Sequence, residues 1–390
     1  MTPPTNSQPN AGDVRVAGAR GQGHIPSLDG IRALAVTVVA ISHAWDNLPI
    51  PGRFGVTVFF FLSGFLITTL LEREHADTGT IDLRAFWARR LIRLMPPLVI
   101  VLIGTYIANA LGAVPGPASV RGFLSQLFYF ANYHLVFFDG VTEIPAGTVI
   151  FWSLAVEEHF YLVYPVVFAA AIAVRGRRLA NLLIATCVVV ALWRTGLVIN
   201  GTNDFRVNLS TDTRIDSIVY GALLALLWSP LKQTHSTEGE APGFVKDLLL
   251  AGVGGIAILA SFLFGGLDTE PGFSLGKILY SSRYVVQGIA LMPVFRFVII
   301  HASRPGLRLL ESAPFRIVGR YSYTIYLSHF IFIAALQNAG VTSRPAVFLG
   351  AMFYSMWLGY LVDRFVDRPL GVVRKRFRHD ARAAIAPSDP

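Results

Sequence analysis

A chain of 390 residues that is 53% hydrophobic and only 15% charged, with a mean hydropathy of +0.54, is too apolar for an ordinary soluble domain and reads as a polytopic membrane protein. Its net charge of +9 comes from 33 Lys and Arg against 24 Asp and Glu. The basic residues lie between apolar stretches rather than along one stripe, which excludes a nucleic-acid partner and reads as a topology signal. One cysteine, Cys187, inside an apolar run, excludes a disulfide framework and a cysteine metal site; the nine histidines show no His-Glu-x-x-His spacing, so no metal is expected.

Residues 1–25 are rich in Pro, Gly, Asn and Ser and lack an apolar core, so they read as a disordered cytoplasmic tail and not as a signal peptide. Apolar stretches of spanning length follow near 31–49, 54–71, 94–112, 150–174, 179–198, 214–229, 246–266, 276–300, 320–339 and 346–365. The expected fold is therefore all-α, a polytopic transmembrane bundle of about ten spans. Segment 122–138 is apolar but short, aromatic, and interrupted by Gln126, Asn132 and His134. The arginines arbitrate. With ten spans and both termini cytoplasmic, most of the 33 Lys and Arg fall in cytoplasmic loops, whereas an eleventh span at 122–138 puts more of them outside than inside. That segment is thus expected to be re-entrant or interfacial. The membrane domain covers 26–370. Residues 371–390 form a basic cytoplasmic tail held against anionic membrane lipids, leaving no room for an appended globular domain.

Ionisable residues inside this apolar chain are the candidates for function, because a charge at a bilayer centre costs about 3 kcal/mol on the insertion scale. In LDGIRALAVTVVAISHAW, Arg32 and His43 are eleven residues apart, which sets them on one helix face about 16 Å apart along the axis. The alternative is a cytoplasmic anchor and a packing histidine. In FWSLAVEEHFYL, Glu157 is expected about 10 Å below the outer surface, level with His43. If their helices are neighbours, the carboxylate fixes the imidazole and leaves its other nitrogen to act as a general base. Asp46 is a second orienting candidate; Glu158 and His159 point to other faces.

Arg89, Arg90 and Arg93, in FWARRLIRLMPP, are expected in an amphipathic segment docked at the inner interface before the third span. Guanidinium forks suit phosphates, and a cytoplasmic polyphosphate ligand such as coenzyme A fits them. Positive-inside anchoring is the other explanation. No Walker-type loop is present, so nucleotide hydrolysis has no support. DTRIDSIVYGALLALL opens a helix at the outer surface, where Arg214 and Asp216 either orient an acceptor hydroxyl or, with Asp212, serve as caps and ion pairs. His329, in YSYTIYLSHFIF, is a second site histidine or a hydrogen-bonded core one. Ser63, in FFFLSGFLITTLL, is an acyl relay or, more simply, a serine bonded to backbone, and Gly64 beside it allows close helix contact.

Taken in order, LDGIRALAV…SHAW, GVTVFFFLSGFLIT, FWARRLIRLMPP, WSLAVEEHFYLVYP, DTRIDSIVYGALLA and YSYTIYLSHF resemble the membrane acyltransferase-3 family of bacterial O-acyltransferases, from about 25 to 370. The resemblance implies a multi-pass protein of the bacterial plasma membrane. It would move an acyl group, usually acetyl and alternatively succinyl, from cytoplasmic acyl-CoA to a hydroxyl of a carbohydrate, glycolipid or glycosylated natural product. By position it makes His43 the essential histidine, Arg32, Arg90 and Arg93 the coenzyme A arginines, Glu157 the carboxylate, and His329 and Asp367 the late histidine and acid. Asp367 stands where the family leads one to expect glutamate. Members acting on cell-wall glycans often carry an appended serine-hydrolase-like domain, so transfer here is expected to be completed by this chain or a separate partner. A transporter or flippase for a glycolipid or polyol, using the same buried charges, is the alternative from another class; no internal repeat supports it.

Overall fold

The computed structural model describes residues 25–45, 52–172, 176–228, 243–266 and 268–373. The expectations for the N-terminal tail, for Asp46 and for most of the basic C-terminal tail fall outside the described residues. Among those described, the secondary structure is helical: α1 Pro26–Ala44, α2 Gly52–Thr78, α3 Leu83–Ala110, α4 Val120–Leu127, α5 Ala131–Phe137, α6 Trp152–Ile172, α7 Gly176–Ile199, α8 Asp204–Leu209, α9 Thr211–Leu227, α10 Phe244–Ser261, α11 Leu275–Ile300, α12 Ala313–Asn338 and α13 Arg344–Val362. Each of the ten expected spans coincides with a long helix. Eight of these are long and apolar enough to cross a membrane. Helix α9, at 17 residues, and the more polar α12 fall outside that group.

Two boundaries differ from the sequence reading. The arginines at 89–93 do not lie in a separate interfacial segment, because α3 runs without a break from Leu83, where Asp82 caps it by accepting from Ala85 N at 2.9 Å. Pro96 and Pro97 sit inside this helix. They lack an N–H, so the carbonyls four residues back lose their usual partners, but the helix continues. Segment 122–138 is, as expected, not a span. It forms α4 and α5, joined through Tyr129 at φ 55°, and its Phe128, Phe130, Phe137 and Phe138 are exposed, as aromatics are at a membrane–water boundary.

The helices meet where small residues allow it. A Cβ on Gly64 of α2 would lie 1.8 Å from Ile218 O of α9, and one on Gly221 of α9 would lie 1.8 Å from Phe61 O. These two backbones are in direct contact, the packing that small residues permit between apolar helices. Gly319 of α12 meets α1 in the same way, its virtual Cβ falling 2.0 Å from Asp29 O. Helix α1 therefore packs chiefly between α2 and α12. Phe60, Phe61, Phe65 and Phe168 fill the bundle centre.

Candidate active site

The five helices α1, α2, α3, α6 and α12 enclose a cavity of about 840 Å³. Arg32, Arg90, Arg93, Arg316 and Arg320 line one end of it, with Asp29 as the partner of Arg32 at 3.0 Å. Deeper in, the wall is made by Ser63, Glu157 and Tyr161, and then by Phe59, Ser153 and Tyr326. Tyr326 and Ser153 share a hydrogen bond of 2.7 Å. From Arg316 to Tyr326 the wall follows ten residues of α12, a depth of about 15 Å. The basic end is thus joined to the bundle centre by one continuous slot.

His43 and His329 are not among the lining residues and lie next to Tyr326. His329 is one helical turn past Tyr326, and their rings approach to 5.8 Å between centroids. His329 Nδ1 sits 3.0 Å from Ile325 O and 2.9 Å from Tyr326 O. Carbonyls only accept, so Nδ1 carries the proton and donates; the neutral ring then has a bare Nε2. His43 Nδ1 lies 2.9 Å from that Nε2 and must be the donor. This assignment, made from the hydrogen bonds, leaves His43 Nε2 as a lone pair. Phe330 stacks on the His43 ring at 4.2 Å between centroids and 12° between planes, fixing its orientation.

The expected pairing of His43 with Glu157 is not formed. Glu157 accepts from Ser63 Oγ at 2.9 Å and from Tyr161 OH at 3.2 Å, so each carboxylate oxygen already has a partner. The assumption of a common depth fails for a geometric reason. Ser153 of α6 is level with Tyr326 of α12; from there Glu157 lies four residues toward the basic end and His329 three residues the other way, a separation of about 10 Å along the bundle. Moreover, α1 has α2 and α12 as its main neighbours. His329, read from sequence as either a site or a core histidine, is the one that orients His43.

Of the two alternatives read for Arg214 and Asp216, the structure supplies side-chain pairing and not an open site for an acceptor. Both are fully buried. Asp216 pairs with Arg194 at 2.9 Å, and Arg194 further donates to Thr213 O and Ser281 O. Arg214 donates to Asn208 O at 3.1 Å and Thr57 Oγ1 at 3.2 Å, and its guanidinium lies 3.8 Å from the Tyr284 ring centre. These contacts tie α9 to α2, α7, α8 and α11, because α9 begins at Thr211 and buries its first two turns among them. Neither side chain lines the cavity. Asp212 holds Arg206 and Trp193, the ion-pairing alternative read from sequence.

Arg89 is likewise committed elsewhere, to Glu74 at 2.9 Å, whereas Arg90 faces the cavity with its guanidinium 3.3 Å from the Tyr161 ring centre. Arg316, Arg320, Tyr161, Tyr323 and Tyr326 are among the cavity residues that sequence reasoning missed. Arg316, Arg320, Tyr323 and Tyr326 are spaced four, three and three residues apart, which sets them on one face of α12. That periodicity was a readable signal. Arg320 is steadied by Asp363 at 2.7 Å, which Arg368 also holds at 3.0 Å.

Comparison with known proteins agrees with the motif order. A family model described as an acyltransferase domain matches residues 25–364. The O-acetyltransferase OatA of Staphylococcus aureus strain NCTC 8325 is 30% identical over 363 residues, covering 89% of this chain and 57% of the relative. OatA of strain COL matches to the same extent. The chain spans little more than half the length of these relatives, and no solved structure matches it. With a match over nearly all of the described helices, the chain belongs to the acyltransferase-3 family.

Proposed function

We propose that this chain is a multi-pass O-acyltransferase of the bacterial plasma membrane. Its ten long helices all cross the bilayer, and the end carrying Arg32, Arg90, Arg93, Arg316 and Arg320 faces the cytoplasm, in keeping with the positive-inside rule. Acyl-CoA enters there. Its phosphates meet the arginines, which form strong charge-assisted hydrogen bonds with such groups, and its narrow arm follows the slot toward Tyr326. Acetyl is the donor group that the relatives' name favours. The acceptor is a hydroxyl of a carbohydrate, glycolipid or glycosylated natural product arriving from the other side.

His43 is the general base for that hydroxyl. The observation that carries this reading is the tautomer chain from the Ile325 and Tyr326 carbonyls through His329 to His43, which leaves a lone pair on His43 Nε2. On taking the acceptor's proton, His43 becomes an imidazolium whose Nδ1–H donates to His329, so the pair holds the ring in place throughout. Such help is worth about 10² to 10⁴ in rate. The reading is tested by reconstituting the protein in vesicles with acetyl-CoA on the basic side, and by mass spectrometry of envelope glycans and glycolipids from a deletion strain. Loss of one acyl mass from a hydroxylated component supports it; an unchanged envelope together with no acetyl-CoA use would refute it.

A further inference from the structure

Ser63 makes an unusual choice of partner. On the same helix Thr57 and Thr69 bond in the ordinary way to the carbonyl four residues back, Arg53 O at 3.1 Å and Phe65 O at 2.8 Å, while Thr68 shares a 2.8 Å hydrogen bond with the neutral Tyr164 hydroxyl. Ser63 instead gives its proton to a carboxylate, Glu157 Oε1, at 2.9 Å. That carboxylate is held on its other oxygen by Tyr161 OH, and Tyr161 is in turn covered by the Arg90 guanidinium. A hydroxyl bonded to a base that a third group orients is the arrangement of an activated nucleophile.

Its surroundings suit that role. Ser63 and Glu157 both face the cavity, and Gly64 beside Ser63 is pinned against the α9 backbone, which fixes the position of the hydroxyl. The His43–His329 pair, by contrast, is separated from the cavity by the hydrogen-bonded Tyr326 and Ser153. A thioester in the slot therefore meets Ser63 before it can meet an acceptor activated by His43.

Resting on the proposed use of acyl-CoA, we infer that Ser63 is the acyl-carrying nucleophile of a two-step transfer, with Glu157 as its base. In the first step the Ser63 Oγ–acyl bond forms and the thioester C–S bond breaks. The Oγ proton passes to Glu157 and from there to the departing coenzyme A thiolate. In the second, Tyr326 and Ser153 part so that the acceptor oxygen, giving its proton to His43, bonds to the acyl carbon; the Ser63 ester bond breaks, and the serine oxygen takes that proton back from the His43 imidazolium. No other reactant is needed.

The test needs no acceptor. A two-step enzyme exchanges labelled coenzyme A into acetyl-CoA in the absence of acceptor, whereas one that transfers directly does not. Purified wild type is expected to catalyse this exchange and to yield, after rapid denaturation and digestion, an acetylated peptide containing Ser63. Ser63→Ala should lower exchange by more than about 10³-fold and remove the label. Ser63→Cys should trap the acyl group as a hydroxylamine-sensitive thioester. Thiol release from acetyl-CoA by native-membrane vesicles, which contain the natural acceptor, is measured alongside. If those vesicles release thiol while the wild type neither exchanges nor carries label on Ser63, the inference is overturned and the acyl-CoA reading stands. Should the vesicles release no thiol and the protein bind no coenzyme A, the reading itself fails and the inference with it.

Discussion

His43 Nδ1 and His329 Nε2 lie 2.9 Å apart although 286 residues separate them in the chain. Because His329 is locked by two carbonyls of its own helix, it can only accept from His43, and the pair acts as a one-way orienting device. The partner that fixes a catalytic imidazole need not be a carboxylate; any acceptor held in place will set the tautomer.

That relationship gives the first prediction. His329→Ala should lower steady-state acyl transfer by about 10² or more, because His43 loses the acceptor that keeps its Nε2 free. His329→Gln offers a carbonyl oxygen in its place and should recover part of the loss. A purely structural histidine would show no such rescue. Kinetics of both variants at matched expression decide the point.

The cavity arginines make a separate prediction. Arg316 is exposed at the mouth of the slot and lies on the same face of α12 as Arg320. Arg316→Ala should weaken binding of coenzyme A while leaving the rate at saturating acetyl-CoA near the wild-type value, since the interaction is uniform across the reaction. Calorimetric titration of coenzyme A measures the first and initial rates the second. Unchanged affinity would assign Arg316 to topology alone.

Arg194 and Asp216 form an ion pair with no exposure on either side. Arg194→Ala leaves a buried carboxylate without its cation and should cost about 3–5 kcal/mol of stability. The measurable result is a large fall in thermal unfolding temperature in detergent, with Arg194→Lys intermediate. Coenzyme A affinity of the surviving folded fraction should be unaffected, as neither residue reaches the cavity.

The cap formed by α4 and α5 should respond to acid. Burial pushes the His134 imidazole below its ordinary value, the Glu143 carboxylate 3.2 Å away opposes this, and Arg121 adds to the lowering. A histidine whose folded value lies below its unfolded one contributes stability that is complete above about 6.5 and is lost progressively as pH falls below it. Hydrogen-exchange protection factors of residues 120–145, corrected for the intrinsic pH dependence of exchange, should fall between pH 7 and 5 in the wild type, and less so in His134→Gln.

The long helices were legible because a run of some 20 apolar residues has few other fates, and the arginine bias correctly set 122–138 apart from the spans. Which helices are neighbours was not legible. Depth along one helix can be counted from a 1.5 Å rise, but lateral order depends on contacts such as Gly64 with α9 and Gly319 with α1, which hydropathy does not record. Hydropathy therefore suggests for Glu157 a partner on α1, whereas the fold gives it Ser63 of α2. That Arg214 and Asp216 are buried depends likewise on lateral contacts, with Asn208 and Thr57 for the first and Arg194 for the second. Arg316 and Arg320 precede an apolar run and in sequence resemble loop charges.

The account rests on His43 completing a transfer that begins in the basic cavity. Steady-state release of coenzyme A thiol from acetyl-CoA, measured in native-membrane vesicles bearing either wild type or His43→Gln, tests it most directly. The expected result is a fall of about 10² to 10⁴ in the variant with coenzyme A affinity unchanged. Thiol release at the wild-type rate by His43→Gln would contradict the assignment of His43 as the base.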